Sequence, residues 1–190
     1  VRGRVRVFDE IVTKDTNAKQ FATILSNHVK EHYENYRIVI TGDPRGEDRA
    51  TTDSTTPYQI FKAAGLDVQP AWSNDPIIRV GAVETQLNTL IEGMLAYFLS
   101  PNCHYIVNAK KGGYSYLKDR EEIDKKSIYS HISDAEQYMF LRMGYGKKLI
   151  GRSIHAKTQT QAHRKQNLFG RRSAMTAKQQ NRQSILSRGR

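Results

Sequence analysis

Short apolar runs separated by polar turns predict alternating strands and helices along this chain. Val5–Val12 alternates between apolar and polar residues and is rich in β-branched side chains, which indicates a strand. Arg37–Thr41 predicts a second strand, which Gly42 and the following Asp-Pro stop abruptly. Between the two, apolar residues recur at helical spacing after Thr16, a candidate N-cap. The first forty residues therefore predict the order strand, helix, strand.

Two later helices carry signals at their ends. Thr56 suits an N-cap, Pro57 the first helical position and Gly65 the position just beyond the last turn. Ser133–Met143 has helical periodicity and is stopped by the glycine that follows it. The remaining runs predict strands at Asp67–Ala71, Met94–Leu99 and Tyr114–Leu117, and helices at Val83–Ile91 and Asn102–Lys110.

Alternation of this kind, with short connections, predicts an α/β fold in which helices cover a mixed or parallel sheet. The chain has 190 residues, of which 38% are hydrophobic, enough for one domain and an appendage. No apolar run approaches the roughly 20 residues that span a bilayer. The single cysteine, Cys103, excludes an internal disulfide. It is expected to be a small buried or half-buried residue rather than a thiol nucleophile. The opening at Val1, without Met, is expected of a piece of a longer protein.

Charge divides the chain at Lys147. The net charge is +11, and residues 147–190 contain no Asp or Glu, so that residues 1–146 are nearly neutral. We expect the folded domain to occupy 1–146 and the basic segment 147–190 to be disordered, because it has too few large apolar residues to order itself. Such a tail binds polyanions weakly and with strong salt dependence, or serves for solubility and docking.

Asp43 is the first candidate for chemistry. It follows the apolar strand directly, and ligands of open α/β sheets bind beyond the carboxyl ends of the strands. A carboxylate there must be solvated, paired or metal-bound. The alternative is a turn aspartate that bonds its own backbone, which is common in Asp-Pro-x-Gly sequences. Gly42 and Gly46 do not form a nucleotide-binding phosphate loop, because no Gly-Lys-Ser/Thr follows them.

Asp134 is the second candidate, in the predicted first turn of the last helix. Ser133 or Asp134 could equally serve only as a helix cap, and His131 is either a ligand or a structural histidine. A carboxylate at a strand end and another at a helix start are a means by which mixed α/β nucleases hold divalent metals. Neither residue is diagnostic by itself, whereas the two together are more specific.

The ordered set of motifs resembles the C-terminal nuclease domain of the large terminase subunit of tailed bacteriophages. The resembling segments are Gly42-Asp43-Pro44-Arg45-Gly46 with Arg49 and Asp53, Gly112-Gly113-Tyr114-x-Tyr116, Ser130-His131-Ile132-Ser133-Asp134-Ala135-x-Gln137-Tyr138, and Asp9-Glu10-Ile11. The resemblance implies a ribonuclease H-like mixed sheet that lacks its first strands here. It also implies a Mg²⁺- or Mn²⁺-dependent endonuclease that cuts concatemeric viral DNA during genome packaging.

In that family three acidic residues build a two-metal site, and the resemblance makes Asp43 and Asp134 its second and third catalytic ligands. The first acid has no counterpart in this chain. Asp9 or Glu10 could help from a neighbouring strand end, but the preferred interpretation of both is a solvated strand end. The implied partners are double-stranded DNA, the portal protein and the small terminase subunit, with no membrane and a location in the host cytoplasm. Two alternatives stay open: a non-catalytic DNA-binding or packaging-assembly fragment, and another ribonuclease H-like enzyme such as a resolvase.

Basic and aromatic residues around the Gly112-Gly113 turn are the candidates for DNA contact. Lys110, Lys111, Tyr114 and Lys118 would lie on a β-hairpin beside the site, where they suit phosphate contact. The alternative is an ordinary exposed hairpin, because lysine is a usual protector of edge strands. No base-reading element is evident, so the expected cleavage is only weakly sequence-selective.

Overall fold

A computed structural model of the chain describes residues 3–48, 55–117 and 123–150. The described residues up to Leu149 belong to one compact unit. Its strands are β1 (Val5–Val7), β2 (Ile40–Gly42), β3 (Val68–Pro70), β4 (Leu90–Ile91), β5 (Met94–Leu95) and β6 (Tyr97–Leu99). Its α-helices are α1 (Ala18–Tyr33), α2 (Pro57–Ala63), α3 (Pro76–Leu87), α4 (His104–Asn108) and α5 (Ser130–Arg142). Short 3₁₀ turns cover Pro44–Glu47 and Lys147–Leu149, and a π-helical turn covers Ala109–Gly113.

The strands form three two-stranded sheets. β1 pairs with β6 and β2 pairs with β3, both in parallel, with Val5 opposite Tyr97 and Ile40 opposite Val68. β4 and β5 form an antiparallel hairpin. The predicted α/β class, with helices beside parallel strands, is confirmed. Within the described residues the two parallel pairs do not join into one sheet, and the ribonuclease H-like topology stays a prediction.

The core lies where α3 and α5 pack together against β1 and β6. Its buried members are Val5, Ala71, Ile78, Ala82, Val83, Tyr97, Tyr138, Phe140 and Leu141. The ring of Phe140 is fully buried, with ring centroids 5.5 Å from Tyr97 and 5.8 Å from Tyr145. Truncation of such an aromatic to alanine costs about 3–5 kcal/mol. α5 therefore has a fixed position in the core, and so do the polar residues that it carries.

Helix ends explain where the sequence-based predictions were right and where they were wrong. Thr56 caps α2 in a reciprocal capping box with Gln59, and Gly65 beyond its end has a φ of +82°, as predicted. α1 is capped by Asn17 rather than by Thr16. α3 begins at Pro76, with Asp75 accepting from the Ile77 amide, well before the predicted start. The prediction of helix up to Ile91 was wrong, because the chain leaves α3 and turns into β4.

Two further predictions need correction. The first strand ends at Val7, not at Val12, and the predicted strand Tyr114–Leu117 is reduced to one antiparallel bridge between Tyr116 and Ile123. α5 begins at Ser130, so that Asp134 lies in its second turn rather than its first. The interpretation of Asp134 as a helix cap was therefore wrong.

Candidate metal and nucleic-acid site

Asp43 lies at the carboxyl end of β2, where the chain turns into the 3₁₀ segment. Its Oδ1 accepts from the Arg45 amide at 3.0 Å, so that the turn interpretation of Asp43 is correct. The same oxygen also accepts from Nδ2 of Asn74 at 3.1 Å, a contact that the turn does not require. Asp43 is thus held from two directions, by its own turn and by the loop that leads into α3.

The backbone around Asp43 is held by Tyr58 of α2. Its hydroxyl donates to the Asp43 carbonyl at 2.7 Å. Burial, with the charges of Asp43 and Glu47, raises the pKa of Tyr58 to about 12. A Cβ added at Gly46 would lie 2.2 Å from a ring carbon of Tyr58, so glycine is required for this close approach. The Gly-Asp-Pro-x-Gly segment therefore has a packing function as well as a candidate chemical one.

Asp134 projects from α5 between two cations. Its Oδ1 accepts from Nη1 of Arg79, and its Oδ2 accepts from Nζ of Lys125. Nη1 of Arg79 also donates to Oε1 of Gln137 at 2.6 Å. Only 4% of the Arg79 side chain is exposed, against 51% of the Lys125 side chain. Burial by itself would lower the pKa of Arg79, but the hydrogen bond and charge of Asp134 outweigh it and raise that pKa.

Tyr138 joins the two aspartates. Its hydroxyl donates at 2.6 Å to Oδ1 of Asn74, the residue whose amide nitrogen donates to Asp43. The guanidinium carbon of Arg79, which binds Asp134, lies 5.6 Å from the centroid of the Tyr138 ring. Burial raises the pKa of Tyr138, Arg79 opposes that shift, and the charges of Asp43 and Asp134 both add to it. Two aspartates far apart in sequence therefore share one buried neighbour.

The donor atoms around Tyr138 are of the type that a hard divalent cation prefers. Asp43 and Asp134 offer carboxylate oxygens, and Asn74 and Gln137 carry amide oxygens. Two carboxylates suffice for one Mg²⁺ that keeps several of its waters. In the part of the chain that the structure describes, no group of three or more His, Cys, Asp or Glu residues could hold a metal. Within the described residues the two carboxylates therefore do not by themselves provide the ligands of a two-metal site.

Asp9 and Glu10, the candidates for a third acid, have structural partners. Asp9 accepts from the Tyr33 hydroxyl and from Nε2 of His28, each at 2.6 Å. The two oxygens of Glu10 accept from the first amides of α4, those of Tyr105 at 2.8 Å and Ile106 at 3.1 Å. Both acids line a mainly apolar cleft of about 550 Å³ bounded by β1, α1 and α5. They are bonded to the fold, in contrast to the solvated strand end that the sequence indicates.

The predicted DNA-contact residues are in different environments. Nζ of Lys110 lies 2.5 Å from Oε2 of Glu136, a carboxylate whose side chain is 1% exposed and which also accepts from the Tyr97 hydroxyl. Lys111 is exposed in the π-helical turn. Lys118 lies outside the described residues. The charge of Lys110 is therefore balanced within the fold, whereas that of Lys111 faces solvent.

Tyr114, the aromatic candidate for DNA contact, lies beside the aspartate site. Burial raises the pKa of its hydroxyl, the neighbouring Gln137 opposes the shift, and the charge of Asp134 adds to it. The predicted hairpin is a π-helical turn closed by Gly112, whose φ is +113°, followed by the bridge at Tyr116. The turn thus leads the chain back towards α5, with Tyr114 directed at the polar residues of that helix.

Sequence reasoning missed the residues that hold the two aspartates in place, namely Asn74, Arg79 and Lys125. It also missed the buried Glu136, which pairs with Lys110. One signal was available: Asp-Pro at positions 75 and 76 indicates a helix start, which puts Arg79 in the first turn of α3.

Cys103 is fully buried, as predicted, and burial raises the pKa of its thiol. His131 is exposed on α5.

The comparisons with known proteins identify no relative. No family model matches this chain, and neither the curated proteins nor the solved structures include a significant match. No helix in the described ranges is long and apolar enough to cross a membrane.

Proposed function

We propose that this chain is the nuclease domain of a viral genome-packaging terminase, a metal-dependent endonuclease that acts on double-stranded DNA. The observation that supports the proposal best is the common neighbour of Asp43 and Asp134. These two acids, selected from motifs far apart in the sequence, are linked through Asn74, Tyr138 and Arg79. Two turn or capping residues without a joint role have no reason to be linked in this way.

In this proposal Asp43 and Asp134 hold the cation, Mg²⁺ or Mn²⁺. The bound cation would polarise a water and offset the charge of the phosphodiester that is cut. Asn74 orients the Asp43 carboxylate, and Arg79 orients that of Asp134. A second cation would need a further acid from outside the described residues. Such an acid would complete the two-metal site that the family resemblance implies.

DNA would approach over the turn that carries Lys111 and Tyr114. Lys111 is exposed and suited to a phosphate contact. Tyr114 follows that turn, and the charge of Asp134 reaches its hydroxyl. The basic segment 147–190 and Lys118 would add sequence-independent contacts. Further proposed partners are the portal protein and the small terminase subunit, in a packaging complex in the host cytoplasm.

Plasmid nicking tests the proposal. The purified 190-residue chain is incubated with supercoiled DNA and Mn²⁺ or Mg²⁺, in parallel with Asp43→Asn and Asp134→Asn. We expect nicking by the wild type that either substitution and EDTA abolish. Equal nicking by all three proteins would reject both aspartates as metal ligands.

A second candidate function is a DNA-binding or packaging-assembly module without catalysis. One observation favours it: within the described residues no group of three acids could hold a metal, and Asp134 is paired with both Arg79 and Lys125. This module would retard DNA in a gel at low salt and would nick it under no metal condition. Retardation without nicking would therefore select this function over the nuclease.

A further inference from the structure

The two cations on Asp134 differ in how firmly they are held. Arg79 lies in the core, bonded to Gln137 as well as to Asp134 and placed against the Tyr138 ring. Lys125 lies in the loop before α5, and its Nζ is bonded to Oδ2 of Asp134. Half of the Lys125 side chain is already in solvent, so its ammonium group regains hydration when it moves away. Arg79 has no such route, because removal of a buried guanidinium from its partners would leave its charge unpaired.

The oxygen that Lys125 occupies is the one that a divalent cation would need. Oδ1 of Asp134 is bonded to Arg79, which leaves Oδ2 as the oxygen with an exchangeable partner. An ammonium group and a divalent cation on the same oxygen repel each other, and each weakens the attraction of that oxygen for the other. Binding of the cation and pairing of Lys125 with Asp134 therefore compete.

We propose that Lys125 is an exchangeable counter-ion of the aspartate site, which occupies Asp134 until a divalent cation displaces it and then binds a DNA phosphate. This inference rests on the proposed function, because it takes Asp43 and Asp134 as the cation ligands. Lys125 couples metal binding to DNA binding, because its ammonium charge is available to the phosphate only when the metal has displaced it from Asp134.

Lys125→Met and its neighbour Lys126→Met test the competition. Both substitutions remove one exposed charge from the same loop, and of the two lysines only Lys125 contacts Asp134 within the described residues. Mn²⁺ binding to the full chain is measured by calorimetry. We expect Lys125→Met to bind Mn²⁺ about fivefold more tightly than wild type, since an exposed ion pair is worth up to about 1 kcal/mol. Lys126→Met and the charge-conserving Lys125→Arg should bind as the wild type does.

DNA affinity supplies a second readout, which a merely structural role would not change in the same way. Binding to a short duplex is measured in Ca²⁺, which occupies oxygen sites, and in EDTA. We expect Lys125→Met to weaken DNA binding several-fold in Ca²⁺, with a salt slope lower by about one, and to leave it unchanged in EDTA. Circular dichroism and thermal unfolding confirm that each variant is folded.

The outcomes separate this inference from the proposed function. If the wild type binds Mn²⁺ in an Asp134-dependent way and Lys125→Met binds it no more tightly, the exchange is overturned and the metal site stands. The exchange is likewise overturned if Lys126→Met tightens binding equally, or if the loss of DNA affinity is the same in Ca²⁺ and in EDTA. If the wild type binds no Mn²⁺, the metal site and the exchange are both overturned.

Discussion

The guanidinium of Arg79 on α3 donates from Nη1 to Oδ1 of Asp134 on α5. The two helices pack against each other, and this ion pair lies at their polar edge with Gln137 as a second acceptor. Asp134 is thereby held in one orientation before any ligand arrives. Fixed orientation of a ligand side chain is what a site that binds and acts on a phosphodiester requires.

Arg79→Ala is expected to destabilise the protein by about 3 kcal/mol, because it removes the buried donor to Oδ1 of Asp134 and to Oε1 of Gln137, whereas Lys125 pairs only with the other oxygen of Asp134. Urea unfolding measures the change. Arg142→Ala on the exposed end of α5 is the control and should change stability by less than about 0.5 kcal/mol. If Arg79→Ala loses as little stability as Arg142→Ala, the ion pair between Arg79 and Asp134 does not hold the two helices together.

Lys110→Met is expected to cost about 2–3 kcal/mol, since it strands the carboxylate of Glu136, which is almost fully buried. Lys111→Met, which removes the same charge from the neighbouring exposed position, should be nearly neutral. Glu136→Gln in the Lys110→Met background should recover much of the loss, because a neutral amide needs no counter-ion. Equal stability of the Lys110 and Lys111 variants would contradict the structural role of Lys110.

The same two lysines separate stability from DNA binding. Under conditions where both variants are folded, Lys111→Met should lower DNA affinity and reduce its salt slope by about one. Lys110→Met should affect DNA binding less, since its charge is already paired with Glu136. A larger loss of DNA affinity in Lys110→Met than in Lys111→Met would mean that the ion pair between Lys110 and Glu136 breaks when DNA binds.

We expect Asp9 to make the stability of the folded protein depend on pH under acidic conditions. The hydrogen bond from Tyr33, opposed by burial and aided by His28, lowers the pKa of Asp9 below its ordinary value of 3.8. A lowered pKa means that the folded state binds this proton less tightly than the unfolded state does. The stabilisation is therefore present above the unfolded pKa of about 3.9 and is lost as the pH falls through the lowered pKa.

Urea unfolding of wild type and Asp9→Asn as a function of pH measures this effect. The difference in unfolding free energy between the two proteins should shrink below about pH 4 and vanish at the lowest pH at which the protein folds. Asp15→Asn, at an exposed position, is the control and should show no such trend. If the difference in unfolding free energy between wild type and Asp9→Asn instead grows as the pH falls, the prediction is wrong.

Local signals in the sequence correctly predicted structural features that depend on residues close together in the chain. The caps and the terminal glycine of α2 are such a case, because Thr56, Gln59 and Gly65 act within two turns of helix. The length of the first strand was overestimated, because the residues after Val7 leave the sheet: Asp9 turns to Tyr33 and Glu10 to the start of α4. An alternating pattern of apolar and polar residues does not show where the partner strand ends, so it does not predict the length of the paired segment.

The candidate site was predictable in part. Asp43 and Asp134 were selected from motifs, and their common neighbour Tyr138 was part of one of those motifs. Arg79 and Lys125 were not predicted, since their ion pairs join segments that only the packing of α3, α5 and the preceding loop brings together. The sequence shows which residues carry charge, and the tertiary structure decides which charges meet.

Calorimetric titration of Mn²⁺ into the full chain tests the central claim, that Asp43 and Asp134 form one cation site. The account predicts one Mn²⁺ per chain, and binding that Asp43→Asn and Asp134→Asn each abolish. Wild-type affinity in Asp43→Asn or in Asp134→Asn would contradict the claim.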